Sequence, residues 1–274
     1  MDRQNLYVIY QENLELLENE LEQVKRMTQI SLGKLCYERV NANVQGQIKK
    51  IEYDILGGTR LYTFLLCSWL EARLKKILYE NSSVAFTDNE RETVLSSKKM
   101  NEKWKNCLNM SVCKSYGFSY SANQNDYASC FVDNPDAMQY YQKVYSYLDD
   151  IEQAIIVRNR LAHGQWKTPL NNKCSDLAAQ EVYDFLNLND NIQKLDLLYK
   201  IYRIISEIIS SYVVYKDKIL TDNFKRDIEK KIQKIANYRQ RMNKCDFDNY
   251  CKPFYKGEVL ERESKKIYRE QFQE

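Results

Sequence analysis

The sequence predicts an all-α protein, and three observations carry that prediction. Only three prolines and seven glycines stand among 274 residues, so little interrupts a helix. Apolar residues recur at three and four through most of the chain instead of alternating. Capping residues and breaker pairs punctuate the sequence between those runs.

Taken in order, Leu14, Leu17, Leu21, Val24 and Met27 place a first amphipathic helix over 3–28. A second is expected over 30–55, stopped by the breaker pair Gly57-Gly58. A third starts near Thr59, shows a broad apolar face (Leu61, Phe64, Leu65, Trp69, Leu70, Leu74, Ile77, Leu78) and ends at Asn81-Ser82-Ser83. Thr87 or Asp88 caps a shorter helix, and 98–110 adds another. Residues 114–134, rich in Ser, Asn, Tyr and Gly, read as a loop or extended segment. Asn134-Pro135 opens a helix that runs to His163, with Gly164 as its stop. Ser175 caps a helix to about Leu188, and Asn189–Asn191 breaks it. A long helix then reaches about Lys218, and Thr221 caps a basic helix ending near Asn243. The stretch 246–253 is expected to be irregular, before a last charged helix over 256–271.

Composition narrows the function. A net charge of +3 does not by itself imply nucleic acid, but its distribution is uneven. Between Lys216 and Lys244 there are ten Lys/Arg against four acids, a pattern that suits a polyanion partner or a solvated helix face equally. Within it Lys230, Lys231 and Lys234 are the candidate RNA contacts. The eight cysteines are irregularly spaced with no C-x-x-C, so neither a zinc site nor a disulfide framework is read from them, and no metal or cofactor is expected. No charged-then-apolar segment opens the sequence, and no apolar run approaches the ~20 residues a membrane span needs. The expected setting is cytoplasmic, with reduced thiols and no membrane partner. Tyr116 and Tyr120 lie in the irregular segment; aromatics there either stack on unpaired bases or pack over the core.

One histidine stands in the whole chain, His163. Imidazole is the side chain best suited to moving protons near neutral pH, so a single histidine marks one place to look. Val144, Leu148, Ile151, Ala154/Ile155, Arg158/Asn159 and Ala162/His163 follow one another at three and four. Polar residues that continue an apolar stripe are expected to be buried in a cleft or at an interface, where isolated charge is costly. Arg offers a fork for phosphate oxygens, Asn a donor and an acceptor, and His a proton. The plainer reading is a histidine C-cap that favours the helix dipole.

Arg158-Asn159-Arg160-Leu161-Ala162-His163 resembles the R-x(4–6)-H motif of the HEPN superfamily, in its R-N-x-x-x-H form. Residues 65–79, containing Trp69-Leu70-Glu71-Ala72-Arg73-Leu74, resemble the HEPN helix that packs beside the motif helix. The resemblance implies a HEPN-like helical bundle over 59–218, with an N-terminal helical pair (1–58) for packing or dimerisation and a basic, charged helical extension (219–274). It implies a metal-independent endoribonuclease of a toxin or antiviral-defence (abortive infection) system, with Arg158, Asn159 and His163 as catalytic residues. Glu71 would orient the motif from the neighbouring helix. Trp166 either packs at the helix end or stacks on a base. HEPN toxins silenced by a partner nucleotidyltransferase carry a tyrosine two residues after the histidine; Gln165 stands there, which speaks against that control.

The histidine count bears on mechanism separately. Cleavage by the RNA's own 2′-hydroxyl needs a base and an acid, and one imidazole cannot serve both positions in one step. A two-fold homodimer brings a second. An antitoxin or defence protein is a further expected partner. The competing classes are a non-catalytic HEPN module that binds RNA or a protein, and a helical scaffold whose Arg, Asn and His stabilise a dimer.

Overall fold

The computed structural model describes residues 2–41, 45–80, 86–118, 120–121, 127, 131, 135–168, 170–171, 175–178, 191–215, 219 and 221–272. Among these the chain is all-helical, with no strand and one isolated bridge between Leu170 and Leu177. The helices are α1 (Arg3–Asn41), α2 (Gln45–Leu78), α3 (Asp88–Ser96), α4 (Met100–Tyr116), α5 (Pro135–Tyr147), α6 (Asp150–Ala162), α7 (Ile192–Val214), α8 (Asp222–Asn243) and α9 (Phe247–Phe272). None is long and apolar enough to cross a membrane.

The first correction lies at Gly57-Gly58, where the sequence suggested a break. α1 runs to Asn41, and α2 passes straight through both glycines. The two long helices form an antiparallel hairpin: Arg3 reaches the Tyr79 and Glu80 carbonyls, Trp69 meets Glu18, and Arg39 pairs with Glu52. The glycines answer to packing. A Cβ on Gly58 would collide with Thr28 Oγ1, so Gly58 lets α1 and α2 touch. Gly57, its neighbour, has nothing within 4 Å of such a Cβ. Gly57→Ala is therefore expected to raise stability by roughly 0.5–1 kcal/mol, and Gly58→Ala to lower it. Chemical denaturation of the two variants checks both signs; a stabilised Gly58→Ala would reject the packing account.

The position 58/59, drawn in the sequence as a domain boundary, falls inside α2. One cluster of buried side chains draws on Leu14 and Leu21 of α1, Trp69 and Leu74 of α2, Ile205 and Ile208 of α7, Ile228 and Ile235 of α8, and Cys251 of α9.

Local signals placed several ends well. Thr87 and Glu90 form a reciprocal capping box at α3, and the Thr221 hydroxyl accepts from Phe224 N–H at α8. Asn191 caps α7 by accepting from Gln193 N–H. Gly117 ends α4 at φ 74°, so α4 extends beyond the 98–110 span into the segment read as a loop. α9 begins at Phe247, not 256: the Asp246 carboxylate accepts from Asn249 N–H, and Pro253 sits inside the helix. Aromatic packing among Phe247, Tyr250 and Phe254 outweighs the one backbone bond a proline forgoes. Asn134 and most of the helix expected after Ser175 lie outside the described residues.

The helix expected to run unbroken to His163 is two helices. It stops at Tyr147, turns tightly through Leu148 and Asp149, and restarts at Asp150. The new start is acidic, as a helix N-terminus favours. Three cations from other helices or their ends hold it: Lys105 pairs with Asp149 at 2.5 Å, Lys99 with Glu152 at 2.6 Å, and Arg239 with Asp150 at 2.5 Å. The buried stripe nonetheless continues across the turn, through Val144, Leu148, Ile151 and Ala154.

Candidate functional site

α6 buries Ile151, Ala154, Val157 and Leu161. Val157 and Leu161 pack on Phe64 of α2, and the Cys67 thiol donates to the Ala154 carbonyl at 3.4 Å. Along α6 the buried positions step from 154 to 157 and 161, so Asn159 and His163 fall off the core face. Asn159 and His163 are exposed and Arg158 is half-buried. Within the single chain they are therefore not part of the buried face. The Arg158 guanidinium remains within electrostatic reach of Cys67: burial pushes that thiol up to about 12, and the Arg158 charge opposes the rise.

The helix ends as its glycine suggests. His163 N–H donates to the Asn159 and Arg160 carbonyls, and Gly164 takes φ 77°. Next comes a short pinned loop. Gln165, buried, donates its N–H to the Arg160 carbonyl and accepts from Leu170 N–H through Oε1 at 2.7 Å. The Arg160 guanidinium donates to the Leu170 carbonyl. Gln165 is thus a structural clamp, a role that its place two residues after the histidine did not suggest.

A contrast in pairing marks the motif. Arg160 is engaged in the loop just after the motif, whereas Lys99, Lys105 and Arg239 are engaged at the opposite, N-terminal end of α6. The side chains of Arg158, Asn159 and His163 make no hydrogen bond or ion pair with any described residue. The structure brings these three together at one helix end.

It does not bring the other predicted residues to them. Glu71 pairs with Lys75 one turn along α2 at 3.0 Å and lines a groove shared with Tyr10 and Leu17 of α1, so its carboxylate is spent away from the motif. Trp166 is 40% exposed. Lys167 extends from the same loop to Tyr53 of α2, 3.2 Å from its hydroxyl, and holds that phenol below its usual value. Tyr53 lines a groove with Met27, Ile30 and Leu61, all exposed apolar residues. The loop after the motif and this apolar groove therefore adjoin.

Tyr116 and Tyr120 are occupied by other rings. Tyr116 stacks on Phe118 at 6.2 Å and meets Phe131 edge-on at 5.2 Å; Tyr120 stacks on Tyr127 at 5.8 Å. Of the two roles open in the sequence, these rings take the packing one.

α8 sorts its charges. Phe224, Ile228, Ile232 and Ile235 are buried. On the opposite side Arg226, Lys230, Lys234, Arg241 and Lys244 are all exposed, within an arc of about 80° and over about 27 Å of helix. Only exposed amides, Gln233, Asn237 and Gln240, lie among them. Lys231 is off this stripe and pairs with Asp227 at 2.6 Å, so it is the weakest of the three lysines singled out in the sequence. If the stripe carries phosphate, replacing Arg226, Lys230 and Lys234 by Gln should flatten the dependence of log binding constant on log salt by about 0.7 for each phosphate no longer neutralised. Lys231→Gln should leave it unchanged. Fluorescence anisotropy on a single-stranded RNA checks this; equal slopes for triple variant and wild type would remove the stripe from RNA binding.

Among the described residues, no three Cys, Asp, Glu or His side chains gather as a group that could hold a metal ion. Compared with family models, curated proteins and solved structures, the chain matches none.

Proposed function

We propose that the chain is a HEPN-type, metal-independent endoribonuclease that acts as a homodimer in a toxin or antiviral-defence setting. The observation that carries this is the contrast in pairing: Arg158, Asn159 and His163 cluster at the end of α6 without internal partners, while Arg160 on the same turn is engaged with the Leu170 carbonyl. Side chains with no structural duty are available to a substrate.

In this reading the His163 imidazole of one copy takes the proton of an RNA 2′-hydroxyl. The oxygen attacks the adjacent phosphorus, the bond to the 5′-oxygen breaks, and His163 of the second copy protonates that oxygen. The products are a 2′,3′-cyclic phosphate and a 5′-hydroxyl. Arg158 stabilises the charge on the pentavalent phosphorus, and Asn159 positions the phosphate or the imidazole. Support for pairing comes from the exposed apolar groove around Met27, Ile30 and Leu61, which adjoins the motif loop through Lys167 and Tyr53. Exposed apolar surface contiguous with a polar site suits an interface. The test is cleavage of RNA in EDTA by the wild-type chain beside His163→Ala. Binding without cleavage by the wild-type chain would favour the non-catalytic RNA-binding module instead.

A further inference from the structure

Irregular cysteine spacing hid a pair that folding assembles. Cys36 lies near the end of α1 and Cys251 in the second turn of α9, at opposite ends of the chain. Folding brings their side chains to one place, where Cys36 acts electrostatically on the Cys251 thiol. Both line one surface groove, with Arg39, Asp248 and Tyr255 around them. Helix packing explains the meeting. Gly33, one turn before Cys36, faces the backbone of Phe254, one turn after Cys251, and a Cβ there would press into the Phe254 carbonyl. A disulfide needs Cα atoms within about 4.4–6.8 Å, which two helices supply only at so close a crossing. Cys67, Cys107 and Cys113 are buried in the core, and the Cys245 thiol donates to Gln193 Oε1 at 2.7 Å.

We propose that Cys36 and Cys251 form a redox-sensitive dithiol that closes to a disulfide and fastens α9 to α1. The oxidant is a low-molecular-weight disulfide. The Cys36 thiolate attacks one of its sulfurs, the reagent's S–S bond breaks, and one thiol leaves, taking up a proton. Cys251 then gives up its proton and attacks the Cys36 sulfur, expelling the second thiol. One disulfide is consumed and one formed, and two electrons pass to the reagent.

Access sets this order. Cys36 is partly exposed and Cys251 is buried. Burial first, and then Cys36, push the Cys251 thiol up to about 12, while Arg39 acts against the rise. Capping Cys36 as the mixed disulfide removes one of those causes and leaves Arg39 in place.

The bond would act on a non-covalent seam. α9 is held to α1 by Arg262, which reaches Glu38 at 2.7 Å and lies over the Tyr37 ring, by Gln29 on the Tyr250 hydroxyl, and by the Tyr37–Tyr255 rings. Arg262 and Tyr255 are partly exposed, so water and salt compete with this seam.

The test incubates the full chain with oxidised glutathione. The protein should lose two hydrogens by intact mass, and its peptide map should join the segments holding Cys36 and Cys251. The melting temperature should rise by on the order of 5–10 °C, with slower amide exchange in α9. Dithiothreitol should reverse all of this, and Cys36→Ser, a change at the partly exposed position, should abolish it. Absence of the 36–251 link, a link between other cysteines in its place, or an equal thermal shift in Cys36→Ser would overturn the proposal.

Discussion

Replacing His163 by alanine is expected to lower RNA cleavage by roughly 10²–10⁴-fold and to leave the fold intact. The fold is spared because the exposed imidazole contacts nothing that holds α6; only the backbone N–H of His163 is engaged, to Asn159 and Arg160. Exposed substitutions of this kind cost little stability. The rate falls because the proposed chemistry has no other imidazole to turn to, in a chain with one histidine. For the same reason specific activity should drop on dilution, as the copy that supplies the second imidazole departs. Gel-based cleavage assays with EDTA, run across protein concentration, read both effects. Wild-type rates in His163→Ala, or specific activity undiminished in a strictly monomeric form, would remove the acid–base role.

The sequence disclosed what is decided locally. Thr87, Asn191, Thr221 and Gly164 stand at helix ends because a cap satisfies backbone groups within one turn, a relation visible in a short window. It misled where a distant contact decides. Gly57-Gly58 has the composition of a breaker, yet Gly58 serves the approach of Thr28 from another helix. The break at 148–149 is flanked by ion pairs to Lys99, Lys105 and Arg239, partners that no pattern within 135–163 reveals. Arg158, Asn159 and His163 were legible as a group because helical spacing is local, whereas their exposure was not, because the buried face of α6 is the one that packs on Phe64 and Cys67 of α2. Cys36 and Cys251 are the extreme case: no spacing rule connects residues that only a helix crossing brings together.

Trp69→Ala is expected to be among the most damaging single changes to the fold, costing about 3–5 kcal/mol of a total that for such domains is about 5–15 kcal/mol. Trp69 is wholly buried on α2, where α1 and α7 meet it. Its indole N–H donates to Glu18 Oε1 of α1 at 3.0 Å, and its ring meets Tyr199 of α7 edge-on at 5.1 Å. Alanine would open a cavity between three helices and leave a carboxylate without its donor. Trp69→Phe separates these losses: most of the ring volume stays and water can reach the exposed Glu18 carboxylate, so the deficit should shrink to about 0.5–1.5 kcal/mol, the net worth of one hydrogen bond. Urea unfolding of both variants measures the difference. A loss for Trp69→Ala no greater than that for the exposed Leu16→Ala would contradict the packing described. The consequence extends to the motif, because Phe64 and Cys67, the α2 residues that seat α6, lie within two turns of Trp69. A loosened α2 would carry α6 with it, so Trp69→Phe should lose cleavage through a shifted Arg158 and His163 although it touches neither. His163→Ala, by contrast, should lose cleavage at full stability. Measuring activity and unfolding on the same preparations therefore separates a residue that does chemistry from one that holds the helix beneath it.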